Sequence, residues 1–158
     1  MATDAVTSSQ DVEGTPSKLK IINGRLYLFA RDAGHIYFHE INRNNFNIQN
    51  TIEIPLANAT SNFAIGDGGD AYVLTSTGWP DYNDAVAKVS MNSATVVNQS
   101  LFTGLGLYGI GFQPVSKEIY IADNNGFQGN GTVIIINGGG QVVKTLEAGR
   151  GPSGFVFK

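Results

Sequence analysis

The chain contains no cysteine, which excludes disulfides, thiolate catalysis and cysteine-based zinc sites. Only two histidines and one tryptophan occur in its 158 residues. Charged residues make up 15%, few for a helical protein that must coat its outer faces with Lys and Glu. No run approaches the roughly 18 apolar residues that a membrane span needs. A net charge of −3 and a pI near 5.2 leave no basic footprint for nucleic acid or an anionic membrane. The first 14 residues, MATDAVTSSQDVEG, have neither the basic start nor the apolar stretch of a secretory signal; they read as a polar, mobile tail.

What is present points to β-structure. Hydrophobic residues reach 42%, enough for a core, and the 20 glycines with abundant Asn, Thr and Ser indicate many tight turns. No segment sustains a 3.6-residue apolar period over three turns, so no helix is expected. Three segments share one grammar of short apolar strand, turn, and strand with a central tyrosine. They are KLKIINGRLYLFAR (18–31), NFAIGDGGDAYVLTS (62–76) and LYGIGFQPVSKEIYIAD (107–123). Tyr27, Tyr72 and Tyr120 stand 45 and 48 residues apart, and the extra three fit in the turn 113–117. Asn23-Gly24 and Gly68-Gly69 have the tolerance for positive φ that short hairpins demand.

Two further strands follow each tyrosine strand: HIYFHEIN and FNIQNTIEIPL, then AVAKVSM and TVVNQSLFT, then TVIIIN and QVVKTLEA. Four antiparallel strands per 45 residues is the grammar of a β-propeller blade. The expected architecture is all-β: a half-propeller of three four-stranded blades over residues 15–57, 58–104 and 105–149, followed by a latch strand over 151–158. Gly151-Pro152-Ser153 echoes Gly14-Thr15-Pro16-Ser17, about 136 residues earlier. Three blades cannot close a ring, because propellers run from about four to eight, and two flat apolar faces are left bare. Either the chain is part of a longer propeller, or copies of it complete one another, a homodimer giving six blades.

Gly109-Ile110-Gly111, Ile119-Tyr120-Ile121-Ala122-Asp123, the Asn/Gly-rich turn 124–131 and the closing Gly-x-Gly-Pro-x-x-Phe carry a likeness to a known family. Residues 107–158 resemble the last blade and closing strand of YncE-like propellers, in the branch common on bacterial surfaces, especially in Bacteroidetes. The resemblance implies a seven-bladed ring in a secreted or cell-envelope protein. The chain departs from that pattern in having fewer than half the blades and no export signal.

Catalytic chemistry finds little footing. His35 and His39 share a strand face, but Glu40 points the other way and no third metal ligand follows at a standard spacing, so neither metal nor cofactor is expected. Asp67-Gly68-Gly69-Asp70 and Asp123-Asn124-Asn125-Gly126 lack the closing Glu of a calcium loop and read as turns. The loops joining second to third strands, and fourth strands to the next unit, emerge at one end and are the longer, more aromatic ones. That end supplies the expected ligand-binding residues Trp79, Asp81, Tyr82, Asn125, Phe127, Gln128 and Arg150, exposed aromatics beside polar hydrogen-bonders. The expected function is a non-enzymatic binding or interaction scaffold for a small molecule or a protein. The alternatives are a propeller lyase or hydrolase with a site shared between chains, and a purely structural assembly unit.

Overall fold

The structure is a computed structural model that describes residue 6 and residues 9–158. Half of the expected polar tail, residues 1–5, 7 and 8, lies outside the described residues. The described chain forms twelve strands: β1 (Thr15–Ile22), β2 (Arg25–Arg31), β3 (His35–Ile41), β4 (Ile48–Pro55), β5 (Ala59–Ile65), β6 (Asp70–Ser76), β7 (Asp84–Ser90), β8 (Thr95–Gly104), β9 (Leu107–Gln113), β10 (Glu118–Asp123), β11 (Thr132–Ile136) and β12 (Val142–Glu147). They pair as three open antiparallel meanders, β1–β4, β5–β8 and β9–β12, each in chain order. One short 3₁₀ turn, Asn125–Phe127, departs from the expectation of no helix.

Hairpin chemistry sets these meanders. Asn23 and Gly24 both take positive φ (49° and 79°) between β1 and β2, the backbone a two-residue turn requires. Gly68 and Gly69 do the same between β5 and β6, and the Asp70 amide closes the turn onto the Asp67 carbonyl at 3.0 Å. A bulge or irregularity shifts the register inside six of the nine strand pairings at least once, including Pro16/Lys18 and Ala122/Asp123.

Strand alternation makes each meander two-faced. The second strands, β2, β6 and β10, carry Tyr27, Tyr72 and Tyr120 at matching positions. On the tyrosine face of sheet one stand Tyr27, Phe29 and Phe38; they pack onto Phe63, Ile65, Ala71 and Val73 of sheet two. Phe63 sits 4.4 Å from Phe29 and 5.6 Å from Phe38 between ring centroids. The tyrosine face of sheet two, with Tyr72, Leu74 and Val86, packs in turn onto Ile110, Phe112, Ile119 and Ile121 of sheet three. Tyr72 stacks on Phe112 at 5.8 Å. The sheets thus stack in series, chiefly through the first strands: β1 and β2 meet β5, and β5 and β6 meet β9.

A terminal segment lies against each end of this stack, covering much of one outer face and only the β3 side of the other. Residues 151–158, expected as a latch strand, join no sheet. They lie flat on the tyrosine face of sheet three, where Phe155 and Phe157 pack at 5.8 and 5.1 Å from the Tyr120 ring. Gly109 and Gly111 make that approach possible: a Cβ on Gly109 would run into the Ser153 backbone, and one on Gly111 would meet Phe155 at 2.8 Å. At the other end, the last residues of the expected mobile tail are packed. The Glu13 carbonyl accepts from His39 Nε2 at 2.9 Å, and Gly14 lies against the Tyr37 ring.

Candidate ligand-binding end

In a four-stranded meander the loops after the second and fourth strands share one end. Here these are residues 32–34, 56–58, 77–83, 105–106 and 124–131, with Arg150 following β12. The loop 32–34 is held by a carboxylate. Asp32 accepts from the Gly34 and His35 amides at 2.8 and 2.7 Å and from the Tyr37 hydroxyl at 2.7 Å. The tyrosine hydroxyl and then the two amides draw the Asp32 carboxyl down to about 2, and the same bond pushes Tyr37 up to about 12. His35 stands 3.5 Å from Asp32 and 3.6 Å from Glu53, whereas buried His39 is bonded to Thr51 Oγ1 and to Glu13. The Tyr37 ring lies between the two imidazoles. Among the described residues, no three His, Asp or Glu side chains gather as metal ligands.

The seven residues expected from the sequence fall into two groups. Arg150 donates from Nε (2.9 Å) and Nη2 (2.7 Å) to the Phe127 carbonyl, tying the end of β12 to the 124–131 loop. That grip holds Phe127 at φ +62°, an uncommon conformation for an aromatic residue. The Phe127 ring meets Tyr108 edge-on at 5.2 Å and remains half exposed. Asn125 is placed by its amide on Asp123 Oδ1 (2.8 Å) and its side chain on the Asn130 carbonyl (3.2 Å); Gln128 is exposed. Trp79, Asp81 and Tyr82 form the second group on the 77–83 loop, with Trp79 81% exposed. The Tyr82 amide on the Gly78 carbonyl and the Asn83 amide on Thr77 Oγ1 shape that loop. No hydrogen bond or ring pairing among the described residues joins it to Phe127.

Sequence reasoning missed two clefts that open at this end, one along sheet two and one between sheets one and two. One, of about 430 Å³, is walled by Asn58, Ser76, Asn83, Asp84, Gln99 and Thr103 among others. The other, of about 490 Å³, shares Asn58 and Ser76 with it and reaches Arg31 and Asp32. The walls are rich in amides and hydroxyls, and no Lys, Arg or aromatic ring lines the first. Asp84, at the first position of β7, is buried. Its Oδ2 accepts from the Leu107 amide at 3.0 Å and so fixes the entry into β9, but its buried Oδ1 has no donor among the described residues. A strand-opening Asp after Asn reads in sequence as turn chemistry, so nothing in the pattern marked it as a buried carboxylate. No family model matches the chain, and no curated protein matches it.

Proposed function

We propose that the chain is a non-enzymatic binding scaffold of propeller blades that receives a small, donor-rich polar ligand in the Asp84 cleft at its loop end. The observation that carries this reading is Asp84, which lines the cleft and whose buried Oδ1 finds no hydrogen-bond donor among the described residues. A buried acceptor without a donor costs free energy, and a carboxylate without a neighbouring cation favours an ammonium or hydroxyl group brought from outside. Surrounding amides and hydroxyls suit orientation of such a ligand by hydrogen bonds rather than by stacking. The aromatic residues of the neighbouring loops, Trp79, Tyr82 and Phe127, form the rim a larger ligand or a protein meets next. The likeness to bacterial-surface propellers supports a place in the cell envelope or outside it.

Saturation-transfer NMR with methylammonium and with a set of monosaccharides tests the cleft. Signal transfer to at least one probe, lost in Asp84→Asn and retained in Trp79→Ala, is the expected pattern. Transfer to none, or equal transfer in Asp84→Asn, refutes it.

A second reading, a structural assembly unit, is favoured by a different observation. Leu19 and Ile21 of β1 are 63% and 60% exposed on the face of sheet one that no other sheet covers. Neighbouring blades are the natural cover for such a face, from a second copy or from a longer propeller.

A further inference from the structure

The three sheets are register-equivalent, and the equivalence extends to the C-terminal segment. In sheet two, Phe63 pairs with Val73 and Ile65 with Ala71; in sheet three, Ile110 pairs with Ile121 and Phe112 with Ile119. The same places in sheet one are held by Leu19 paired with Leu28 and Ile21 paired with Leu26. In sheets two and three these residues receive the tyrosine face of the preceding sheet. Among the described residues, no sheet packs on them in sheet one, and the Glu13–Gly14 segment covers only the β3 side of that face, at Tyr37 and His39.

At the opposite end, the tyrosine face of sheet three is covered by residues 151–158. Laid over the chain's beginning, Pro152-Ser153 falls on Pro16-Ser17, Phe155 on Leu19 and Phe157 on Ile21. The structure bears this out in orientation: Phe155 and Phe157 turn toward Tyr120, while Val156 between them is 91% exposed. The segment therefore sits where the first strand of a fourth sheet belongs. It joins no ladder with any of the three sheets.

We infer that residues 151–158 are a built-in stand-in for β1, occupying on sheet three the seat that β1 and β2 of a second copy of this chain take in head-to-tail assembly. This rests on the second reading above, that the bare face of sheet one is an assembly surface. The occupant is a second copy because the seat already selects the pattern Pro-Ser-x-apolar-x-apolar that the chain carries at β1. Gly109 and Gly111 fit that pattern's backbone closely, as they fit Ser153 and Phe155. The stand-in is the element that yields. β1 is tied to β2 by a seven-pair ladder and to sheet two by the Lys18–Asn62 bond at 2.9 Å, whereas 151–158 is held by face contacts alone. An incoming copy also buries Leu26 and Leu28, which the stand-in cannot replace. Being tethered, the segment competes at an effective concentration on the order of millimolar, so it holds assembly in check. The contact is heterologous, closing as a two-fold ring or running on as a filament.

The test compares the full chain, a chain ending at Arg150, and Leu19→Asp in both backgrounds, by light scattering over a concentration series, with circular dichroism to confirm folding. The truncated chain is expected to associate at concentrations at least tenfold lower than the full chain. Leu19→Asp is expected to abolish that association, and the peptide GPSGFVFK added in trans to reverse it. Should truncation impair folding, the full-length Phe155→Ser/Phe157→Ser double variant, which frees the same seat, must show the same gain in association. Association weakened by truncation overturns the stand-in and leaves the assembly surface standing. A folded truncated chain that stays monomeric at hundreds of micromolar overturns both. Association indifferent to Leu19→Asp and to the peptide also overturns the inference.

Discussion

If the sheets stack in series as described, register-equivalent apolar residues differ in energetic weight only through what covers them. Phe29 is wholly buried, 5.2 Å from Phe38 and 4.4 Å from Phe63, at the joint between sheets one and two. Truncation to Ala removes the ring's transfer free energy and leaves a cavity, together about 3–5 kcal/mol, of which its aromatic contacts supply roughly 0.5–1.5 kcal/mol each. At about 2–4 °C per kcal/mol for a chain of this size, the Phe29→Ala melting temperature falls by roughly 6–20 °C. Leu19 holds the same register as Phe63 but is 63% exposed, so Leu19→Ala costs about 0.5 kcal/mol or less when measured on the monomer. Urea unfolding at low micromolar concentration, with the slope checked for constancy, gives both values. A cost below about 1 kcal/mol for Phe29→Ala, or a Leu19→Ala cost rivalling it, refutes the serial stacking.

Three further outcomes follow from the loop end. Arg150→Ala releases the Phe127 carbonyl and is expected to speed amide hydrogen exchange across 125–131 while lowering global stability by about 1 kcal/mol or less; unchanged exchange in that loop refutes the clamp. Asp32 and Tyr37 give pH limbs of opposite sign. A carboxyl lowered from 3.8 to about 2 adds stability that is complete above its unfolded value and lost as pH falls through about 2; a hydroxyl raised from 10.0 to about 12 adds stability lost as pH rises from about 10 through 12. Tyr37→Phe should therefore erase the alkaline limb and shrink the acid one in denaturation measured from pH 2 to 12, and identical profiles count against the bond. Finally, Asp84→Ala strands the Leu107 amide at a cost of about 1–3 kcal/mol, whereas Asp84→Asn keeps an acceptor there, removes the buried charge and stays within about 1 kcal/mol of wild type; equal losses in urea unfolding speak against the orphan oxygen.

The meanders were legible because their signals are local. Period-two alternation around Tyr27, Tyr72 and Tyr120 and glycine-bearing turns suffice to place ten of twelve strands near their observed limits, since a one-residue slip would turn each core face outward. What the pattern could not reveal was whether an extended segment finds a ladder. GPSGFVFK has strand alternation and points Phe155 and Phe157 inward accordingly, yet it joins none of the three sheets, because alternation fixes which side chains face inward and not whether a neighbouring strand is there to pair with. The packing of the tail's last two residues is hidden for a related reason: Glu13 contributes a backbone carbonyl to His39, and a carbonyl has no sequence signature.

The candidate site divides along the same line. Exposure of Trp79 and the turn at 124–131 follow from composition, because Gly, Asn and Asp write their own local hydrogen bonds. Phe127 at positive φ and Asp84 with a donorless oxygen do not, because each is held in a locally unfavourable state by a residue more than twenty positions away, Arg150 in one case and Leu107 in the other. Such states persist only when the rest of the fold over-determines them. Here both holding contacts belong to the last sheet and its entry: Leu107 opens β9, and Arg150 follows β12. The loop end of sheet two thus owes its geometry to sheet three. A perturbation of the segment following Arg150 is therefore positioned to reach the Phe127 loop through the Gly151 backbone, which packs against the Phe127 ring at the very start of the stand-in strand.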